Sequence, residues 1–516
     1  MAENKEVEAV LSRDVEQPLT EKGQVTEISS SVPEGIHTDV ARRYFELSLQ
    51  YDQAQLEKDA VKVRRKLDFM VLPMMMTTYM LSFLDKQTLN YSNAYGLQAD
   101  THMTGDDYSW VASALFFGWL IGAWPANLAL QHFPVARLIG CIMFVWGALC
   151  MLQASAFNFS GLFAVRFFLG LTEACISPAW VLLTSMLWTR DEQPLRTSFW
   201  ISTNGVSSIL GALLSWGLGK ADHTAVASWK LIYLVVGALT IAWGVIIFLF
   251  LPDGPHNGKM LSEYERVVAV WRISKNRTGV QHPKFLTYQV KEALLDPKTY
   301  LLMLMAAAIG ILNGGVVSFM SALIKGFGFS SVRSSLLQMP GGACEVVGCI
   351  LLGYISTFKN MTGATIILGC IPGIVGLAGI MTISIEHRYN LVACAWVQNI
   401  IGSPIVLNWT LPVLNVAGHT KRSTVLGLYF LFYCAGQIAG PHLFFAREAP
   451  RYMSAIKGLE TCYAAFVVLQ IIYMSICFLQ NKSRDRQGYH AQDEQEAREG
   501  FEDLTDWENK HFRYRL

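Results

Sequence analysis

Long apolar stretches alternate with short polar ones over most of the chain. Twelve of them reach the roughly 20 residues that a helix needs to cross a bilayer, and they fall into two groups of six. The first six lie near residues 67–89, 110–130, 137–156, 160–188, 199–219 and 229–251. The second six lie near residues 300–323, 333–357, 361–384, 391–415, 424–445 and 460–480. The pattern predicts an all-α membrane protein with twelve transmembrane helices in two six-helix bundles.

The polar segments divide the chain into five parts. Residues 1–66 are charged and lack the apolar core of a signal peptide, which predicts a disordered cytosolic tail. The two bundles occupy residues 67–251 and 300–480. Residues 252–299 form a polar linker between the bundles, and residues 481–516 form a polar C-terminal tail. Two six-span halves joined by a long linker are typical of transporters built from duplicated halves.

The distribution of Lys and Arg predicts the orientation. Basic residues are concentrated in the linker and recur after span ten at Lys421 and Arg422, whereas the loop after span one is acidic. The excess of positive charge inside the cell therefore places the linker and both tails in the cytosol. Within the linker, apolar residues at helical spacing in residues 261–273 predict an amphipathic helix that lies on the membrane surface or packs under the bundle.

The composition excludes several classes of function. Of the 516 residues, 16% are charged, compared with about 25% in soluble proteins. The net charge of +1 argues against a nucleic-acid partner. All ten Cys lie in apolar segments without metal-ligand spacing, so we interpret them as small buried residues. No phosphate-binding loop motif is present. We therefore expect no metal, no cofactor and no enzymatic activity.

Arg166 and Glu173 interrupt the fourth apolar stretch. A charge inside a membrane span costs roughly 2.5–3.5 kcal/mol on insertion scales unless it faces a partner or a wet cavity. Seven residues are about two helical turns, so both side chains lie on one face about 10 Å apart, with room for a small ion or water between them. A guanidinium binds a carboxylate with two hydrogen bonds, and a buried carboxyl favours its protonated form. The alternative is a buried charge network that holds span four against its neighbours.

Other polar residues in the spans have two interpretations each. Asp85 and Lys86 either anchor the end of span one at the membrane surface, or Lys86 offers a positive charge to a substrate carboxylate, with Asp85 as its structural partner or as a second titrating group. Uncharged polar residues either line a cavity or bond across helix interfaces. Asn399 and Tyr433 stand out because their spans mirror spans four and five. The uncharged candidates are Asn90, Tyr91, Asn204, Ser208, Asn313, Gln398, Asn399, Asn408, Tyr429, Tyr433 and Gln437.

Several segments in a fixed order resemble a known family. They are FLDKQTLNYSNAYGL, SALFFGWLIGAWPANLALQHFPVARLIG, RFFLGLTEACISPAWVLLTSMLW, RTSFWISTNGVSSILGALLSWGLG, YQVKEALLDPKTYL and NVAGHTKRSTVLGLYFLFYCAGQIAGPHLFFAREAPRY. The chain resembles the major facilitator superfamily from about Leu67 to Cys477. Within that superfamily it resembles the anion:cation symporter branch and its fungal allantoate permease group. The resemblance implies the major facilitator fold.

The resemblance also implies roles for individual residues. In the symporter branch, a basic residue matching Lys86 serves the anion, the acidic residue matching Glu173 is tied to proton coupling, and Arg166 matches a substrate or gating residue. Two features depart from the superfamily. The loop LALQHFPVARLIG lacks the usual Asp, as is common in the fungal branch, and Glu345 stands where related permeases more often have an uncharged residue.

Together these observations predict an importer of a small organic anion, driven by proton symport and alternating access. The predicted substrate-binding residues are Lys86, Arg166, Asn204, Asn399 and Tyr433, and the predicted proton-coupling residues are Glu173 and Glu345. We expect a monomer in the lipid bilayer of the plasma membrane, with an internal membrane as the alternative. An exporter of an acidic fungal metabolite and, more remotely, a nutrient sensor remain open, as does the identity of the anion.

Overall fold

A computed structural model describes residues 37–189, 192–220, 226–258, 260–274, 286–359, 361–449, 451–487 and 504–516. All regular elements in these ranges are helices. The spans are Gln53–Ala94 (span 1), Asp107–His132 (span 2), Val135–Leu152 (span 3), Phe159–Glu173 with Ile176–Leu187 (span 4), Gln193–Gly219 (span 5), Ser228–Phe250 (span 6), Pro297–Gly326 (span 7), Ser331–Leu336 with Met339–Lys359 (span 8), Thr362–Thr382 (span 9), Arg388–Gln398 with Gly402–Asn415 (span 10), His419–Ala439 (span 11) and Met453–Arg486 (span 12). Shorter helices are His37–Ser48, Leu97–Asp100, Glu263–Ser274 and Thr287–Leu295, and 3-10 turns lie at Gln153–Ser155, Asn399–Ile401, Gly440–Leu443 and Ala446–Glu448.

The prediction of twelve spanning helices in two bundles is confirmed. Eleven helices within the described ranges are long and apolar enough to cross a membrane. Span 5 is the twelfth: its 27 residues extend about 40 Å, which is enough to cross a bilayer. Its lower hydropathy has a structural reason, because its polar residues Ser202, Thr203, Ser207 and Ser215 are buried against neighbouring helices.

The two bundles meet along spans 5 and 8, spans 2 and 11, and spans 1 and 7. A very close approach lies between Gly205 of span 5 and Gly342 of span 8. A Cβ atom on either glycine would clash with the backbone oxygen of the other. Because neither residue has a side chain, the two bundles touch backbone to backbone at this level. We call the membrane face near residues 252–296 the linker side and the opposite face the far side.

The disorder predicted for residues 1–66 is wrong from residue 37 onward. His37–Ser48 is a helix, and span 1 begins at residue 53 instead of residue 67. Tyr44 Oη donates a 2.9 Å hydrogen bond to Glu263 Oε2 of the linker. Short helices depend on tertiary contacts of this kind, which local composition does not reveal. Residues 1–36 lie outside the described residues.

The helix predicted in the linker is present as Glu263–Ser274. Val267, Val268 and Trp271 are buried, and Arg272 donates a 2.6 Å hydrogen bond from Nη2 to the carbonyl oxygen of Leu187 in span 4. The helix therefore packs under the bundle, which is one of its two predicted locations.

Residues 504–516, which we call the C-terminal segment, pack against the linker side of the second bundle. Asp506 is fully buried and forms ion pairs with Lys421 at 2.6 Å and with Lys298 at 3.0 Å. Tyr514 Oη donates a 2.7 Å hydrogen bond to the same carboxylate. Burial raises the pKa of Asp506, but the charges of Lys298 and Lys421 outweigh this effect and hold the pKa below its usual value.

We expect Asp506→Asn to lower the unfolding free energy by about 3 kcal/mol, because it leaves two buried ammonium groups with fewer counter-charges. The contribution of a carboxylate with a lowered pKa is present above its unfolded-state pKa and is lost as the pH falls through its native pKa. Thermal unfolding in detergent at pH 7 and at pH 3 measures both effects. Asp485→Asn is the control, because Asp485 pairs with Arg513 on the surface. Equal melting temperatures for the two variants at pH 7 would contradict the prediction.

Candidate functional site

A cavity lies between the bundles at the middle of the spans. The volume in which the centre of a water molecule can lie is about 90 Å³. One water molecule requires about 10–15 Å³ of such volume. The cavity therefore has room for several waters or a small organic ion. Spans 1, 2, 4 and 5 contribute to its wall from the first bundle, and spans 7, 8, 10 and 11 from the second. Six of the seven predicted site residues line it: Lys86, Arg166, Asn204, Glu345, Asn399 and Tyr433.

Spans 4 and 10 lose their regular α-helical form near the cavity, as does span 8 between Leu336 and Met339. Span 4 is interrupted between Glu173 and Ile176, and span 10 turns into a 3-10 helix at Asn399–Ile401. Glu173 is the last residue before the first interruption, and Asn399 is the first residue of the second. Irregular backbone within a membrane is tolerated where it is buried in protein or lines a cavity. The sequence did not indicate these interruptions, because the apolar stretches continue through them.

Glu173, the seventh predicted residue, lies behind the cavity wall and pairs with Lys86. Lys86 Nζ lies 3.0 Å from Glu173 Oε1, and the Glu173 side chain is fully buried. Ser82 Oγ donates a hydrogen bond to the same carboxylate oxygen and lies 3.5 Å from Lys86 Nζ. Sequence reasoning missed Ser82, although its position four residues before Lys86 puts both on one helical face.

An aromatic side chain covers the other side of the Lys86 ammonium group. Lys86 Nζ lies 4.2 Å from the ring centroid of Trp119 in span 2. This distance is within the range of a cation–π interaction. Trp119 stacks in turn on Phe430 of span 11, with 6.0 Å between ring centroids. The aromatic contact therefore joins the bundles beside Lys86. Nothing in the apolar pattern of span 2 distinguished Trp119 from residues that pack in a core.

Arg166 is buried, and no carboxylate of the described residues pairs with it. Its side chain donates a 3.2 Å hydrogen bond from Nη1 to Gln153 Oε1, and its Nε has no hydrogen-bond partner in the described part of the chain. The residue is 2% exposed, and no Asp or Glu among the described residues forms an ion pair with it. Arg166 and Glu173 therefore have different polar partners among the described residues, Gln153 for Arg166 and Lys86 for Glu173, and the ion or water between them stays a prediction.

Asp85 lies away from Lys86 and is fully buried. Its carboxylate accepts a 2.9 Å hydrogen bond from Trp146 Nε1 and a 3.0 Å hydrogen bond from Cys150 Sγ, both in span 3. The interpretation of Asp85 as an anchor at the membrane surface is wrong, and so is the interpretation as the partner of Lys86. It bonds span 1 to span 3, because adjacent residues on a helix point about 100° apart and face different neighbours.

Glu345 brings an acidic group from the second bundle to the cavity. It is 7% exposed, and among the described residues no Lys or Arg pairs with it. A Cβ atom at Gly402 of span 10 would lie 2.7 Å from Glu345 Oε1. The absence of a side chain at Gly402 therefore makes space for the carboxyl group. An unpaired carboxylate is costly in such surroundings.

The uncharged candidates separate into two groups. Asn313 Nδ2 and Gln437 Nε2 donate hydrogen bonds to Tyr433 Oη, at 2.9 and 2.6 Å. The Oδ1 atom of Asn204 and the Oε1 atom of Gln437 are buried and have no hydrogen-bond partner within the described ranges. Seven of the candidates line the cavity: Asn90, Asn204, Ser208, Asn313, Asn399, Tyr433 and Gln437. The others bond across helix interfaces or within a helix: Tyr91, Gln398, Asn408 and Tyr429.

Comparisons of the sequence with known proteins all point to one family of transporters. A sequence profile described as Major Facilitator Superfamily matches residues 75–441. An uncharacterized transporter of Schizosaccharomyces pombe is 36% identical over 94% of each chain. The allantoate permease of Saccharomyces cerevisiae is 31% identical over 96% of this chain and 93% of its own, and the thiamine pathway transporter of that yeast is 32% identical over 88% and 86%.

Solved structures show the same fold at low sequence identity. A bacterial homologue of the human lysosomal transporter Spinster, in an inward-facing and unoccupied conformation, superposes with a TM-score of 0.56. It covers 81% of this chain and 96% of its own, at 16% identity. At this identity the likeness concerns the fold alone.

Proposed function

Because the chain belongs to the major facilitator superfamily, we propose that it imports a small organic anion together with a proton by alternating access. The allantoate permease of Saccharomyces cerevisiae is similar to it over nearly its whole length, which supports an anionic substrate. The linker side is assigned to the cytosol because the linker carries the excess of Lys and Arg. The plasma membrane is the proposed location.

The observation that carries the proposal is the buried guanidinium of Arg166. An isolated charge in a low-dielectric interior is expensive, and proteins keep one there mainly where it has a function. Arg166 lines the cavity and lacks an acidic partner among the described residues. A substrate carboxylate supplies the missing negative charge and fits the two parallel N–H groups of the guanidinium.

The Lys86–Glu173 pair supports coupling to protons. A substrate anion in the cavity competes with Glu173 for the ammonium group of Lys86, which is 13% exposed to the cavity. A carboxylate that loses its cation in a buried site binds a proton more readily. The anion and the proton therefore enter together. When the anion leaves on the linker side, Lys86 pairs with Glu173 again and the proton is released.

The remaining predicted residues orient the substrate. Asn204 from the first bundle and Asn399 and Tyr433 from the second offer hydrogen bonds across the cavity. Glu345 in its protonated form adds a hydrogen-bond donor from span 8, whereas Glu173 carries the coupled proton. Because the wall comes from both bundles, rocking of one bundle against the other moves the site from one membrane face to the other.

Uptake measurements test the proposal. Purified protein is reconstituted in liposomes, and a panel of labelled small carboxylates is offered with an inward proton gradient. For one proton per monovalent anion, we expect about tenfold accumulation per pH unit, abolished by a protonophore. Empty liposomes are the control. Accumulation that is driven only by an outward gradient of the anion, or none for any carboxylate, would contradict proton-coupled import.

A further inference from the structure

Three uncharged side chains close the cavity towards the far side. Asn90 Nδ2 of span 1 donates a 3.2 Å hydrogen bond to Gln338 Oε1 of span 8. The backbone N–H of Ser321 in span 7 donates a 3.0 Å hydrogen bond to Asn90 Oδ1, and Gln338 Nε2 donates a 2.7 Å hydrogen bond to Ser321 Oγ. The three bonds form a ring that joins the bundles. We call Asn90, Ser321 and Gln338 the amide latch.

The amide latch is completed only when the bundles are together on this side. Asn90, Ser321 and Gln338 are 2%, 1% and 5% exposed, so water does not replace a partner that moves away. A buried amide without a partner is costly, whereas the same amide in an open, hydrated cleft bonds to water. The latch therefore has two favourable states, one closed and one open to water, with an unfavourable arrangement between them.

Other contacts between the bundles lie on the same side of the cavity as the latch. Tyr108 Oη, Ser109 Oγ and Ser113 Oγ of span 2 donate hydrogen bonds to backbone oxygens of the second bundle, all near the far side. The latch borders the cavity near Lys86, because Asn90 and Gln338 both line the cavity and Asn90 follows Lys86 by four residues. One helical turn, about 6 Å, separates Asn90 from Lys86 on the same face of span 1.

We propose that the amide latch is the outer gate of the carrier and that Asn90 is a positioning residue between this gate and the anion site. An anion that approaches Lys86 from the far side reaches it only after the latch has opened. The inference rests on the proposed function for the direction of transport. The gate itself follows from the hydrogen bonds between the bundles and does not depend on the identity of the substrate.

Cysteine labelling tests the latch. Ser318 lines the cavity beside the latch, so Ser318→Cys provides a thiol that a membrane-impermeant methanethiosulfonate reaches from outside intact cells only when the gate is open. Adding Asn90→Ala or Gln338→Ala is expected to increase the labelling rate about tenfold, equal to a shift of about 1.4 kcal/mol. Asn127→Ala is the matched control, because Asn127 Nδ2 donates a hydrogen bond to the carbonyl oxygen of Ala123 in its own span, on the linker side. Labelling of the native cysteines is measured in the chain without Ser318→Cys and subtracted.

A double variant tests whether Asn90 and Gln338 act as one unit. Both alanine substitutions break the same ring, so Asn90→Ala with Gln338→Ala should label no faster than the faster single variant. Equal labelling with and without the substitutions, in protein that elutes as a single species on gel filtration, would overturn the gate. If Asn90→Ala does not fold, the labelling rate of Gln338→Ala alone decides whether the latch is a gate. Since labelling requires no substrate, failure of the latch and failure of anion import are separate results.

Discussion

Replacing Arg166 by Met is expected to abolish anion uptake and, at the same time, to raise the thermal stability of the protein. Arg166 is 2% exposed, and its guanidinium has Gln153 in place of an acidic partner. Removing an uncompensated buried charge while keeping the apolar volume relieves a desolvation cost. Two charge-assisted hydrogen bonds to a carboxylate contribute about 1.5–3 kcal/mol each. Their loss weakens binding more than 100-fold.

Initial uptake rates and the melting temperature in detergent measure the two effects of Arg166→Met. Arg166→Lys retains the charge but not the paired N–H groups, so it should weaken binding by roughly tenfold without abolishing it. Arg137→Met is the control, because Arg137 is exposed near the start of span 3. A fall in melting temperature with uptake retained would assign Arg166 to a structural charge network instead.

Replacing Glu173 by Gln is expected to separate anion movement from proton movement. Gln preserves the shape of the side chain, but it neither competes as an anion for Lys86 nor binds a proton. The variant should exchange internal for external anion at a rate near that of the parent protein. It should no longer accumulate the anion in response to a pH gradient. An inside-positive membrane potential should drive uptake instead, because the anion then moves without a compensating proton.

Liposomes with an imposed pH gradient or potassium potential distinguish these modes of transport. Glu345→Gln retains a hydrogen-bond donor in the cavity, so we expect it to keep gradient-driven accumulation. Asp85→Asn should also keep it, because Asp85 bonds to Trp146 and Cys150 in span 3. If Glu345→Gln loses accumulation and Glu173→Gln retains it, the coupled proton belongs to the second bundle.

The sequence was informative about the membrane segments because the bilayer imposes a simple requirement. About 20 apolar residues are needed to cross it, and a charged residue within such a segment must face protein or a cavity. The first condition predicted the spans, and the second singled out Arg166, which lines the cavity, and Glu173, which pairs with Lys86 behind the cavity wall. The same reasoning failed for residues 37–66, where a polar composition suggested disorder and contacts with the linker produce helices.

By itself, the sequence determined the class of protein, the two bundles and the types of polar group placed in the membrane, since each of these depends on local hydropathy. Only the tertiary structure decided which groups meet: Glu173 with Lys86, Arg166 with Gln153, and Asn90 with Gln338. Such pairs depend on the rotation and depth of helices that are far apart in the chain. Two adjacent residues such as Asp85 and Lys86 consequently face different neighbours, and no spacing along one helix predicts the partner on another.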